Sequence, residues 1–170
     1  MATFHPTTFT AYDDWMTPDS AWDNIKQYIP KDKIIWEAFY GNGTSGTHLR
    51  KLGFNVIHED NLDFFENNRG EIVVSNPPYS RDLLPRVLKR LHELDKPFIM
   101  IMPCSKICTK YFQELKKFKN EIKIIIPPNR IKFKKLVNGE IDTTKNSPNF
   151  DCFYYCWKID GLERDITWLT

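Results

Sequence analysis

Apolar residues in this chain gather in short continuous runs separated by charged and turn-forming stretches. Six runs have the length and the β-branched or aromatic content of strands: Ile34 to Phe39, Phe54 to His58, Ile72 to Ser75, Pro97 to Met102, Glu121 to Ile126 and Asp151 to Trp157. Unbroken apolar character, as in Phe98-Ile99-Met100-Ile101-Met102, predicts a central strand covered on both faces. Arg81 to Leu94 instead places Leu83, Leu84, Val87, Leu88 and Leu91 at helical spacing. Thr47 to Leu52, closed by Gly53, and Ser105 to Phe118 are the other predicted helices. Strands alternating with helices predict an α/β fold with a doubly wound, mostly parallel sheet. The final strand, Asp151 to Trp157, follows a loop rather than a helix and is expected to be antiparallel. Phe133 to Phe150, polar and basic with Gly139 and Pro148, is the expected mobile loop.

A length of 170 residues suits one domain with a real core, so residues 1–170 are expected to form a single domain. No apolar stretch approaches the ~20 residues of a membrane span. Met1 to Thr10 lacks an apolar export signal, and the expected setting is therefore a reducing, cytoplasm-like compartment with free thiols. Cys104 and Cys108, like Cys152 and Cys156, are four residues apart, a spacing open to a zinc site or to small buried apolar side chains. His5, His48, His58 and His92 show no paired metal spacing, and His48 is expected in solvent.

The net charge of +2 is unevenly distributed. Lys106 to Lys135 holds ten basic residues against Glu114 and Glu121. Lys116 to Lys123 suits a solvated helix face, whereas the stretch beyond Pro127 suits contact with phosphates.

Two turns carry the candidate chemistry. Asn76-Pro77-Pro78-Tyr79 follows the Ile72 to Ser75 run and so sits at a strand's carboxyl end, where open α/β sheets bind ligands. The prolines fix φ and remove two donors, leaving bare carbonyls. An amide oxygen and a carbonyl side by side suit an exocyclic amine, and the tyrosine ring suits a flat base. The second turn, Glu37-x-Phe39-x-Gly41-x-Gly43, lets backbone approach a ligand closely. An acid after the next strand, Glu59 or Asp60, suits the hydroxyls of a ribose.

In this order the motifs resemble the class I S-adenosylmethionine-dependent methyltransferases, specifically the adenine-N6 group in a compact phage- or virus-like form. The resemblance covers about Trp15 to Ser80 and implies a Rossmann-like sheet with S-adenosylmethionine as cofactor. Asn76, Pro77, Pro78 and Tyr79 match its catalytic motif, and Glu37, Phe39, Gly41 and Gly43 its cofactor loop. Trp15, Thr17 and Pro18 resemble the N-terminal element near the methionine carboxylate. Asp63 and Phe64 resemble the pair that binds the adenine amino group and ring. Two departures stand out. The helix and strand that the family places between the ribose acid and the adenine acid are largely deleted here. No segment has the length of a target-recognition domain.

The activity implied is methyl transfer to adenine N6 in DNA by direct displacement, without metal. Asn76 Oδ1 and the Pro77 carbonyl would accept the amine protons while Tyr79 stacks on the base. Alternatives are the same chemistry on RNA (adenine N6 or guanine N2) or on a protein glutamine, and a catalytically silent nucleic-acid-binding subunit. The expected partner is nucleic acid, DNA first, met by Lys106 to Lys135 and the loop Lys132 to Asn149. No membrane partner is expected, and a homodimer or a partner subunit would supply specificity.

Overall fold

The apolar runs assemble into one seven-stranded sheet. The computed structural model describes residues 15–138, 140–142, 148 and 150–170. The expectations for Met1 to Thr10 and His5, and for Gly139, residues 143–147 and Asn149 of the expected loop, lie outside these residues. The strands are β1 (Trp15–Met16), β2 (Ile34–Trp36), β3 (Asn55–Ile57), β4 (Ile72–Ser75) and β5 (Phe98–Pro103). They continue with β6 (Lys123–Ile126), β7 (Lys134–Val137), β8 (Glu140–Ile141), β9 (Cys152–Trp157) and β10 (Ile166–Trp168). The helices are α1 (Asp19–Asp23), α2 (Thr44–Lys51), α3 (Leu83–Leu94), α4 (Lys110–Glu114) and α5 (Lys116–Glu121). The large sheet has the order β10-β6-β9-β5-β4-β2-β3. Only β9 runs antiparallel to its neighbours, β5 and β6. This is the doubly wound, mostly parallel architecture that the alternation of elements predicts.

Burial on both faces explains the unbroken apolar runs. Ile72, Val74, Ile99, Ile101, Ile125, Tyr154 and Cys156 pack on one side with Trp22, Ile25 and Leu49 around α1 and α2. Val73, Phe98, Met100, Ile124, Tyr155 and Trp157 pack on the other with α3, Phe112 and Phe118. Successive residues of each strand thus feed opposite layers, as the period of two requires.

Three expectations change. The helix expected over Ser105 to Phe118 is a 3-10 turn (Cys104–Cys108) followed by α4 and α5. Phe112 and Phe118 are six residues apart, about 240° around one straight helix. A break at Leu115 (φ −82°, ψ 78°) lets both rings enter the same layer. The second change is β10, an additional strand after β9 and parallel to β6. It has three residues, with Ile166 and Trp168 exposed, so it lacks the apolar signal of the inner strands. Finally, the segment expected as a mobile loop contributes β7 and β8, and β7 pairs with β1 in a second sheet of order β1-β7-β8.

β3 lies at the edge of the sheet. Arg50 on α2 covers that edge, with Nη2 3.0 Å and Nε 3.3 Å from the Val56 carbonyl. Unpaired edges template association, and a charged side chain blocks them. Arg50→Leu keeps an aliphatic stem but removes both donors. It is expected to cost about 1 kcal/mol in urea unfolding and to increase concentration-dependent light scattering. Unchanged values for both would show that the guanidinium does not protect the edge.

Candidate functional site

The carboxyl ends of β2 and β4 open into a cleft lined by Trp15, Met16, Thr17, Glu37, Phe39, Tyr40, Gly41, Asn42, Ser45 and Asn76 to Tyr79. Three segments distant in sequence therefore share one wall. β4 is fully buried and ends at Ser75, so the Asn76-Pro77-Pro78-Tyr79 corner emerges directly at the sheet edge. The glycine turn leaves β2 and enters α2 with Gly41 at φ +59° and Gly43 at φ +84°. Both values favour glycine. A Cβ on Gly41 would come within 3.3 Å of Met16 Sδ, so the bare backbone keeps the cleft open there.

Hydrogen bonds fix the corner. Asn76 Nδ2 donates to Thr17 Oγ1 at 2.9 Å, which ties the N-terminal element to the tetrad and orients the amide. Asn76 Oδ1 faces the Tyr79 hydroxyl, which also lies 2.9 Å from the Ile101 carbonyl. The Tyr79 ring meets Phe150 edge-to-face at 5.3 Å and Phe133 at 6.5 Å. The basic segment therefore backs the Tyr79 ring through Phe133. Ile131 and Phe133 are buried while Lys132 and Lys134 are exposed, so the cations alternate outward. Lys135 lies 5.8 Å from the Trp15 ring centroid.

Not every basic residue of the run is available for phosphates. Lys117 pairs with Asp95, Lys123 donates to the Glu163 carbonyl at 3.0 Å, and Arg130 pairs with Asp151 at 2.8 Å. Their charges hold chain segments together.

Glu37 is 2% exposed at the base of the cleft. Its Oε1 accepts the Ser75 hydroxyl. On the other side stands His58, which follows β3, with Nδ1 2.7 Å from Glu37 Oε2 and 3.0 Å from the Glu37 carbonyl. A carbonyl only accepts, so Nδ1 carries a proton. The aligned hydrogen bond runs to that carbonyl, and among the described residues Oε2 is left with an ion-pair contact and His58 Nε2 with no partner. The imidazole stacks on Tyr40 at 4.6 Å. Burial alone would lower its pKa, but the hydrogen bonds and charge of Glu37 prevail and raise it above 6.5, with Arg50 opposing. The folded state thus binds this proton more tightly than the unfolded chain. The resulting stabilisation is complete below about pH 6.5 and is lost as pH rises through the raised folded value. Melting temperature is expected to carry a component that falls from pH 6.5 upward and is absent in His58→Asn. A flat difference between the two proteins would exclude it.

The remaining site candidates lie apart from the cleft lining. Pro18 caps α1, and Gly43 lines an adjoining polar depression with His48 and Lys51. His48, expected in solvent, lies between Asp19 and Asp23 of α1 at 3.3 and 3.0 Å. Glu59 and Asp60 are exposed beyond His58. Asp63 Oδ1 accepts the Phe65 N–H at 2.7 Å and so stabilises its own turn. Phe64 is 1% exposed, packed 5.3 Å from Trp36 and 5.0 Å from Phe39. Sequence patterning had not singled out His58, Phe133 or Phe150. The one available signal for His58 was a glycine, Gly46, within a helix facing it.

Cys152 and Cys156 are buried, Cys104 is partly exposed and Cys108 exposed, all as free thiols. Burial pushes the Cys152 thiol up to about 12. Among the described residues no cluster of three or more potential ligands could hold a metal, and no helix is long and apolar enough to cross a membrane.

No protein-family model and no curated protein matches the chain. Among solved structures, TehB from Haemophilus influenzae is similar over 83% of this chain, with 14% identity and a TM-score of 0.49. The chain spans 62% of that protein's length. A candidate class I S-adenosylmethionine-dependent methyltransferase from Listeria monocytogenes shares 15% identity over 95% of this chain and 67% of its own, with a TM-score of 0.48. A candidate RNA methyltransferase from Pyrococcus horikoshii shares 15% identity over 91% and 95%, with a TM-score of 0.46.

Proposed function

We propose that this chain is an S-adenosylmethionine-dependent N-methyltransferase acting on the exocyclic N6 amine of adenine in DNA. The observation that carries the reading is the shared wall of the cleft: Thr17, the glycine turn and the Asn76 to Tyr79 corner line one space. The cleft fits a nucleoside cofactor, because Gly41 leaves backbone bare where a side chain would meet Met16 and a buried carboxylate, Glu37, stands at its base. Trp15, Thr17, Glu37, Phe39 and Gly41 would hold the cofactor. When bound, it supplies an electrophilic methyl group.

The chain's own contribution is positioning and charge placement. Thr17 Oγ1 holds Asn76 Nδ2, so the amide presents Oδ1 as its acceptor. The incoming amine displaces the Tyr79 hydroxyl from Oδ1, and that hydroxyl keeps the Ile101 carbonyl as its partner. Asn76 Oδ1 and the Pro77 carbonyl then accept hydrogen bonds from the two amine N–H groups. This aims the nitrogen lone pair and stabilises positive charge as it develops. A paired base must leave its stack first, at a few kcal/mol. The Tyr79 ring, backed edge-on by Phe133 and Phe150, offsets part of that at ~1–3 kcal/mol per stacked base. Exposed Lys132 and Lys134 stand next to this group and suit the strand's phosphates.

The test is incubation of the protein with labelled S-adenosylmethionine and separate pools of unmethylated DNA, RNA and protein, followed by digestion. The expected product is N6-methyladenine from DNA. Label confined to RNA nucleosides or to glutamine would move the substrate to those polymers. Absence of cofactor binding by calorimetry would overturn the enzyme reading and leave a silent binding subunit.

A further inference from the structure

We propose that His58 is a positioning residue that holds the Glu37 carboxylate toward a positively charged group of the ligand in the cleft. The inference rests on the cofactor reading above and extends it to a residue outside the family-like motifs.

The arrangement is built rather than incidental. Ser75, Glu37 and His58 stand at or just beyond the ends of three neighbouring strands, β4, β2 and β3, and their side chains form one buried row. Glu37 and His58 side chains are each 1% exposed. The fold also makes room for the ring. A Cβ on Gly46 of α2 would lie 2.1 Å from His58 Cδ2 and 2.3 Å from Cγ. No larger residue fits while the imidazole is in place. Tyr40, from the glycine turn, closes over its face. A buried carboxylate needs partners. Ser75 satisfies one oxygen, whereas Oε2, 2.7 Å from His58 Nδ1, has no aligned donor among the described residues.

That incomplete satisfaction points to a cation. Glu37 lines the cleft, and S-adenosylmethionine carries two positive groups, a sulfonium and an ammonium. The groups facing His58 are Glu37 from β2, the Tyr40 phenol from the turn and Arg50 from α2. A ligand cation beside Glu37 competes with the imidazolium for the same carboxylate. Binding should therefore lower the His58 pKa, and His58 should matter only for ligands bearing the cation.

Three ligands separate the possibilities. S-adenosylhomocysteine lacks the sulfonium charge but keeps the ammonium, and 5′-methylthioadenosine lacks both. His58→Phe retains the ring without its nitrogens, and His58→Asn restores a donor near the Nδ1 position. For His58→Phe we expect at least tenfold weaker binding of S-adenosylmethionine and less than twofold change for 5′-methylthioadenosine. His58→Asn should recover most of the loss. The behaviour of S-adenosylhomocysteine assigns the cation: loss indicates the ammonium, no loss the sulfonium. An equal effect on all three ligands, or none on any, overturns the proposal.

A measurement on the unaltered protein guards against a variant that fails to fold. The His58 ring is titrated by NMR alone, with S-adenosylmethionine and with 5′-methylthioadenosine. Its pKa should fall with the first ligand and stay unchanged with the second; identical titrations in all three samples overturn the proposal. If the unaltered protein binds none of the ligands, the cofactor reading itself has failed, and that result is distinct.

Discussion

Asn76→Ala is expected to reduce single-turnover methyl transfer by at least 10²–10³-fold, the loss typical of removing one aimed polar group from a reacting centre. Cofactor affinity should stay within a few-fold. On the proposed function Asn76 would serve twice: Oδ1 would accept a hydrogen bond from the amine, and Nδ2 ties the amide to Thr17. Truncation removes both but leaves the surrounding corner supported. Pro77 and Pro78 keep their fixed backbone, and the Tyr79 hydroxyl retains the Ile101 carbonyl at 2.9 Å. Calorimetry and single-turnover kinetics on the same preparation check the split. Transfer within tenfold of the unaltered protein would show that another group holds the amine. Equal loss of binding and rate would place Asn76 in the cofactor site instead.

Gly46→Ala is expected to be the most damaging small substitution outside the tetrad, at about 3 kcal/mol, from overpacking and disruption of a buried charged pair. For a chain of this size that is roughly a 10 °C fall in melting temperature. The sign is not obvious from helix propensity, since alanine in mid-helix is worth up to ~1 kcal/mol over glycine. Contact at 2.1 Å with a ring held by Glu37 and Tyr40 outweighs that gain. The diagnostic is non-additivity. In a His58→Gly background both the ring and the Cβ, which would stand 2.6 Å from the new methyl, are gone, and Gly46→Ala should become nearly neutral. A single variant as stable as the parent in urea would mean that His58 can rotate away freely.

The inner strands were legible because continuous β-branched runs leave few alternatives. Ile72–Ser75 has the boundaries expected from sequence, and the Phe98 run differs by a residue at its ends. β10 and the strands of the small sheet were not legible. Trp15–Met16 is held by pairing with Lys134 and Lys135, a contact across more than a hundred residues that no local pattern encodes. The helix expected over Ser105 to Phe118 is interrupted at Leu115, where Phe112 and Phe118 enter the same core layer.

At the site, backbone-driven features were readable: glycines with positive φ and prolines at a strand end. Side-chain partnerships were not. Asp63 and Phe64 match a ligand-binding pair in type and order, yet one stabilises its own turn and the other fills the space beneath Phe39. His58 carried no motif, because its meaning depends on Glu37, 21 residues earlier, and on the space left by Gly46.

The N-terminal strand hangs between two supports, the β7 ladder at Trp15 and Met16 and the Asn76 amide at Thr17. Neither support belongs to the large sheet's ladder of hydrogen bonds. Amide exchange at Met16 and Thr17 is therefore expected to be faster than in β4 and β5, and equal protection would show that these supports hold as firmly as the large sheet.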